Sequence, residues 1–323
     1  MNKRFYYLIL AVVVVASMFA AYHNHPSHKL PTIAIANYGP HASLDAVIVG
    51  LKEQMRADGF IENQNVRYEM ADVGFDHALI PQTVATLKAH NPKAMVVMST
   101  PIAQFAKGKI KNIPLIYAAV TDPVDVGLLQ NPQQADGNMT GSSDMQDLES
   151  LLKFAKSLLP NAKRVGLLYA TSDSNDTSLV KMMKLAASKL DMSVVAIPVE
   201  QARDVPVRAQ GFKNEVDLIY VGTSGPIQPT LPAISAEARK MRIPVFNVQS
   251  AAVRDGLALA SFGVDYIAVG RNAGKLASAV LKGDDISNLT PLYPTAADHS
   301  GLINEKLAIE FGIEIPPGFE IVK

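Results

Sequence analysis

Short, nearly continuous apolar runs alternate with amphipathic stretches along most of this chain. Thr32–Asn37 (TIAIAN) reads as a buried strand, and residues 44–60 read as a helix with one apolar face. The segments VRYEMADV, KAMVVMS and IPLIYAAV continue the strand series, with LIPQTVATLKAHN and IAQFAKGKI as the helices between them. A second series begins at RVGLLYA and runs through SVVAIPV, VDLIYVG and IPVFNV, separated by the helices SLVKMMKLAASKL and AISAEARKM. Strands that are apolar on both faces and alternate with helices predict parallel sheets covered on both sides. The chain is therefore expected to form two α/β units.

The units echo one another. Met95–Gln104 (MVVMSTPIAQ) followed by IPLIYAAV matches Leu218–Gln228 (LIYVGTSGPIQ) followed by IPVFNV. In each, a buried strand ends in hydroxyl residues, a Pro-Ile pair and a Gln, and an Ile-Pro opens the next strand. The joint match favours duplication over chance.

The polar residues gather where the strands end. Asn37, Tyr38 and His41 follow the first strand, Ser99 and Thr100 the third, and Thr121 and Asp122 the fourth. In the second unit the equivalents are Thr171 to Asp176, Thr223 with Ser224, and Asn247 to Ser250. Open parallel sheets bind ligands outside the carboxyl ends of their strands. Taken alone, Ser99, Thr100 and Asp176 are explained better by helix capping than by binding; the collective placement favours a cleft between two lobes.

Composition narrows the function. The chain has 323 residues, and at 48% hydrophobic content it can bury a large core, which excludes a disordered protein. The formal charge is zero, with no basic block, so nucleic acid is not an expected partner. There is no Cys, which removes disulfides, thiolate metal sites and cysteine nucleophiles. The chain opens with Lys3 and Arg4 and then an apolar run from Phe5 to Tyr22, read equally as a cleaved signal peptide or a retained membrane anchor. Either places the remainder outside the cytoplasm. The tract HNHPSHKLP, with His23, His25 and His28, reads as a linker.

No catalytic pattern accompanies the cleft. G-x-G-x-x-G after a strand, the P-loop, G-x-S-x-G and H-E-x-x-H are all missing. His41, His77, His90 and His299 do not stand at metal-pair spacing, and the adjacent Asp298, His299 and Ser300 cannot converge as a triad. A binder without enzymatic activity, cofactor or metal is expected.

TPIAQ…IPLIYAAVTDPV, GNMTGSSDMQD, LLPNAKRVGLLY and the closing LINEKLAIEFGIEIPPGFE closely resemble the ABC-transporter substrate-binding proteins that include the tryptophan- and tyrosine-binding lipoproteins. The similarity runs from Pro31 to the end. It implies a type I periplasmic-binding fold of two Rossmann-like lobes, after an N-terminal hydrophobic helix. Residues 1–30 would be signal or anchor plus linker. Residues 31–140 with 264–283 would form lobe 1, and residues 141–263 with 284–323 lobe 2, with crossovers near Gly141, Gly263 and Gly283. It also implies a monomer that passes a small-molecule ligand, an amino acid or related solute, to an ABC permease in the inner membrane. The alternative from a different class is a membrane-tethered ligand sensor or scaffold of the same fold.

The resemblance carries Thr100 and Gln104 in T-P-x-A-Q, Thr121 in A-V-T-D-P-V, and Asp144 in GSSD as the acid expected at the ligand's ammonium. Asn175 falls in the loop expected to hold its carboxylate. Asn37, His41, Thr223, Gln249 and Ser250 complete the expected ligand set, and Asp122, followed by Pro123, reads equally as a turn former. Two sites depart from relatives: NVQSA stands where an acid-rich GDTDS is common, and Thr223-Ser224-Gly225 stands where Asp-Asn often follows the Thr. The lipobox Cys is also missing.

Overall fold

The protein is described from a computed structural model covering residues 30–323. The expected N-terminal helix, the Phe5–Tyr22 run and the histidine tract lie outside the described residues. Among those described, no helix is long and apolar enough to cross a membrane.

The first sheet contains β1 (Thr32–Asn37), β2 (Arg67–Asp72), β3 (Ala94–Met98), β4 (Leu115–Val120) and β5 (Met139–Ser143), in the order β2-β1-β3-β4-β5. All its pairings are parallel. The helices between them are α1 (Ala42–Ala57), α2 (Ile80–Ala89) and α3 (Thr100–Lys109). β3 and β4 are buried along their whole length because helices cover both faces, whereas the edge strand β2 keeps Arg67, Met70 and Asp72 exposed.

The second sheet contains β6 (Arg164–Ala170), β7 (Ser193–Val199), β8 (Leu218–Val221), β9 (Val245–Asn247), β10 (Ala260–Val264), β11 (His299–Asn304) and β12 (Glu320–Val322). Their order is β12-β11-β10-β9-β8-β6-β7. This sheet is mixed rather than parallel throughout, because β11 runs antiparallel to β10. Pro198 is accommodated because β7 is an edge strand. The remaining helices are α4 (Leu148–Leu158), α5 (Ser174–Ser188), α6 (Val205–Ala209), α7 (Leu231–Met241), α8 (Ser250–Arg254), α9 (Tyr266–Lys282) and α10 (Glu305–Phe311). The echoing segments occupy corresponding places: β3 pairs with β4, and β8 with β9.

Three connections join the sheets: residues 144–147, Asp265, and residues 293–298. The divisions drawn at 141 and 284 shift accordingly. Gly141, Ser142 and Ser143 pair with β4, and Ile286, Leu289 and Leu292 pack on the first core. Gly141 and Gly263 have a packing reason of their own: a Cβ would stand 2.2 Å from Tyr117 O and 2.0 Å from Val248 O respectively. Gly283 is the left-handed C-cap of α9, at φ 103°.

Helix α9 returns from the second sheet to pack against α1 through paired glycines. A Cβ at Gly50 would lie 2.1 Å from Ile267 O, and one at Gly270 2.1 Å from Val47 O. The backbones touch, so the segment that carries Tyr266 is fixed rigidly to the first lobe. Gly50→Ala should cost about 1–3 kcal/mol through overpacking, seen as a lower urea midpoint at unchanged slope. Gly108→Ala, on an exposed part of α3 with open space around it, should instead stabilise by roughly 0.5–1 kcal/mol. Equal effects at the two sites would contradict the close crossing.

Candidate functional site

A narrow cleft lies between the lobes, and the carboxyl ends of strands from both sheets supply its wall. Tyr38 follows β1, Ser99 and Thr100 follow β3, Thr121 follows β4, and Asp144 follows β5. From the other side come Asp173 and Asn175 after β6, Thr223 and Gly225 after β8, and Gln249 after β9. Tyr266 opens α9 beside the connection from β10, and His41, Ser43, Leu44, Phe75, Pro101 and Ala119 complete the wall. Among the described residues, neither Lys nor Arg lines it.

The lining begins where strands turn into helices, so helix N-termini converge on the cavity. His41 caps α1 through Nδ1, and Asp173 caps α5 by accepting from Asn175 N. Helices α3 and α9 also start at lining residues. Their free N–H groups and dipoles favour negative charge on a ligand. The backbone is constrained at the same place. Phe75, Ser99 and Ala119 adopt φ of 63°, 69° and 53°, each in the left-handed region, and Ala119 forms a β-bulge against β5. Such conformations cost of order 1–3 kcal/mol each and concentrate at functional sites.

Asp144 is 3% exposed. One carboxylate oxygen accepts from Thr121 Oγ1 at 3.2 Å and the other from the Tyr266 hydroxyl at 3.3 Å. Desolvation pushes its pKa up to about 6 against the pull of those two bonds. Asp173 is also raised, by burial first. Behind it, Asp176 accepts from Ala170 N and from Ser224 Oγ, and burial followed by the charge of Asp173 lifts it to about 8. His41 is held below its ordinary value by burial.

The lobes touch across the cavity and around it. Thr121 Oγ1 meets Thr223 Oγ1 at 3.2 Å, and Thr223 in turn accepts from Asn175 Nδ2 at 3.2 Å. Gln249 reaches Ser43 Oγ at 2.8 Å and His41 Nε2 at 3.1 Å. Outside the cavity, Ser174 donates to Gln104 Oε1, while Asp125 accepts from Lys181 Nζ and from Ser178. This is a closed arrangement.

Of the ten residues expected at the ligand, His41, Thr100, Thr121, Asp144, Asn175, Thr223 and Gln249 line the cavity. Three do not. Asn37 lies behind it, with Nδ2 donating to Gly39 O and Asp72 Oδ2. Gln104 is exposed and donates to Val126 O, so its role is at the lobe edge. Ser250 faces away and accepts from Arg254. Asp122 uses Oδ1 to accept from Val124 N and Asp125 N, which is a turn. Tyr117 and Phe246, aromatic residues near strand ends, are core residues. Phe75 and Tyr266 were not singled out: Phe75 follows an edge strand, and Tyr266 starts a helix of the returning segment. The tyrosine directly after a strand and Asp265 cap is the signal that could have revealed Tyr266.

Comparison with known proteins bears on this geometry. A family model described as ABC transporter substrate binding protein matches residues 32–319. The tyrosine-binding protein of Clostridioides difficile is 30% identical over 263 residues, 81% of this chain and 76% of that protein. The structure of the ABC domain in complex with L-Trp from Streptococcus pneumonia is 26% identical, with TM-score 0.85 over 91% of this chain and 100% of that one. The ligand-free, open structure of a substrate binding protein with adhesive properties from Clostridium difficile is 28% identical, with TM-score 0.71 over 91% and 99%. At similar identity, the chain fits the L-Trp complex better than the open protein, in keeping with the contacts across the cavity.

The buried acid makes a stability prediction. The pKa of Asp144 is higher in the folded chain than in the unfolded one, so its contribution is present below about pH 4 and is lost as pH rises through about 6. Asp144→Asn keeps the shape and removes the charge. It should make the ligand-free protein more stable at pH 7.5, by up to about 3 kcal/mol, with the advantage gone at pH 4. A variant less stable than the parent at pH 7.5 would contradict this.

Proposed function

The chain belongs to the family of ABC transporter substrate-binding proteins, and from that premise we propose that it captures an α-amino acid outside the cytoplasm and delivers it to an ABC permease in the inner membrane. The lobes, divided at residues 144–147, 265 and 293–298, close on the ligand in the manner of a hinge. The protein binds and releases; it performs no chemistry.

One observation carries the amino-acid reading: Asp144 is a buried carboxylate at a cleft that no Lys or Arg of the described residues lines. A buried charge without a partner is costly, and an incoming ammonium removes the cost. The helix N-termini on the same cavity suit the ligand's carboxylate. A zwitterion matches both. The names of the relatives, one tyrosine-binding and one in complex with L-Trp, support an aromatic side chain, as do the lining rings of Tyr38, Phe75 and Tyr266.

The membrane-tethered sensor keeps one specific observation in its favour, the Phe5–Tyr22 run without a lipobox Cys. The two readings part at uptake: deleting an import component abolishes accumulation of the amino acid, whereas deleting a sensor changes only the response to it.

The chain contains no Trp, so bound L-tryptophan is the sole indole fluorophore. We expect the full-length protein, stripped of carried-over ligand by unfolding and refolding in mild detergent, to bind L-tryptophan saturably. L-tyrosine should displace it, and N-acetyl-L-tryptophan, which lacks the ammonium, should not. Asp144→Ala should abolish binding. Affinity should hold above pH 6 and fall towards about tenfold per pH unit below it, as protonation of Asp144 competes with the ligand. Equal binding of the N-acetyl compound, or an affinity flat from pH 7.5 to 5, would remove the ammonium–Asp144 pair from the account.

A further inference from the structure

A second acid reaches the cavity, and the role given to Asp144 does not use it. Asp173 stands on the second lobe, in a neighbourhood of its own. The charge of Asp173 acts on the Tyr38 hydroxyl, while that of Asp144 acts on Tyr220 and Tyr266. Tyr38 sits edge-on to Phe75, with ring centroids 5.5 Å apart, and its hydroxyl meets His77 Nε2 at 2.6 Å. Gly225 lies so close to Tyr38 that a Cβ would come within 2.8 Å of its ring. This part of the cavity is therefore an aromatic slot with an acid beside it.

The hydrogen-bonding groups there are incomplete. Asp173 is 3% exposed; Oδ1 accepts from Asn175 N at 3.0 Å, and the other oxygen accepts no hydrogen bond from the described residues. Asn175, 8% exposed, leaves Oδ1 without a partner, and so does the Thr100 hydroxyl. Asn175 Oδ1 is a buried acceptor without a donor among the described residues, an arrangement that costs stability until a donor arrives. Capping alone does not explain Asp173. Ser or Asn caps a helix as well and brings no charge into a buried site.

We propose that Asp173 is a specificity-determining residue that accepts a hydrogen bond from a donor at the end of the ligand's side chain, so that aromatic amino acids with a ring O–H or N–H are selected over bare hydrocarbon rings. This rests on the amino-acid reading above, in which Asp144 takes the α-ammonium. The donor gives its one hydrogen to the free oxygen of Asp173, while the Tyr38 and Phe75 rings hold the ring that carries it. A site built to pair with a donor rejects the analogue lacking it far more strongly than a lost methylene would account for.

The test compares L-tyrosine with L-phenylalanine, and L-tryptophan with 1-methyl-L-tryptophan, by calorimetry on the ligand-stripped full-length protein. In the parent, the donor-bearing member of each pair should bind at least about tenfold tighter. Asp173→Ser retains a capping hydroxyl; it should bring L-tyrosine and L-phenylalanine within about twofold of each other. A purely structural Asp173 would weaken both ligands together. Equal affinity for tyrosine and phenylalanine in the parent, or a preference that survives Asp173→Ser, overturns the proposal and leaves the amino-acid reading intact. Failure of all four compounds to bind overturns both.

Discussion

Asp144 carries a carboxylate that two hydroxyl groups hold and that no cation accompanies among the described residues. Its surroundings are arranged around that fact. Thr121, at the end of β4, and Tyr266, at the start of α9, both spend their hydroxyl hydrogens on it. Tyr266 is in place because α9 lies against α1 through Gly50 and Gly270. Thr121 also meets Thr223, so the acid is tied through one hydroxyl to the opposite lobe. The hydroxyls soften the burial of charge without cancelling it, as the raised pKa records. In the proposed reading the ligand's ammonium completes the site, and a binding protein benefits from being incomplete without it.

Closure follows the same logic. The contacts that join the lobes outside the cavity are few and polar. Lys181 and Asp125 form the one ion pair among them in the described residues, at 2.8 Å, with side chains 61% and 32% exposed. Exposed pairs of this kind contribute about 0–1 kcal/mol, and Ser174–Gln104 adds one hydrogen bond at an exposed edge. These contacts guide the lobes together without locking them. The larger free-energy change is available inside, where Asp144 and Asp173 are buried acids and, among the described residues, Asn175 Oδ1 and the Thr100 hydroxyl have no hydrogen-bond partner.

Much of this was legible in the sequence, and the failures have physical causes. β1, β6 and β7 coincide with their expected limits, because continuous apolar runs bounded by polar residues leave little ambiguity. β5 did not announce itself. Its sequence, MTGSS, is nearly devoid of apolar side chains, yet it is wholly buried. Thr140 donates to Leu289 O, Ser142 to Val269 O and Ser143 to Thr121 O, so hydrogen bonds from distant segments do there what hydrophobicity does elsewhere. The antiparallel β11 was also hidden, since strand direction depends on the path of the chain and not on local pattern. At the site, strand-end position together with the family resemblance picked out Thr100, Thr121, Asn175 and Thr223, which line the cleft. It misplaced Asn37 and Ser250, which stand at strand ends but point elsewhere. Position along a strand says where a residue begins; the direction of its side chain comes from the tertiary fold.

The most direct measurement of the central claim is a crystal structure of the full-length protein grown with L-tryptophan or L-tyrosine. The account predicts the ligand between the lobes with its ammonium nitrogen about 2.7–3.0 Å from a carboxylate oxygen of Asp144. A ligand whose carboxylate or ring occupied that position, leaving Asp144 unpaired, would contradict it.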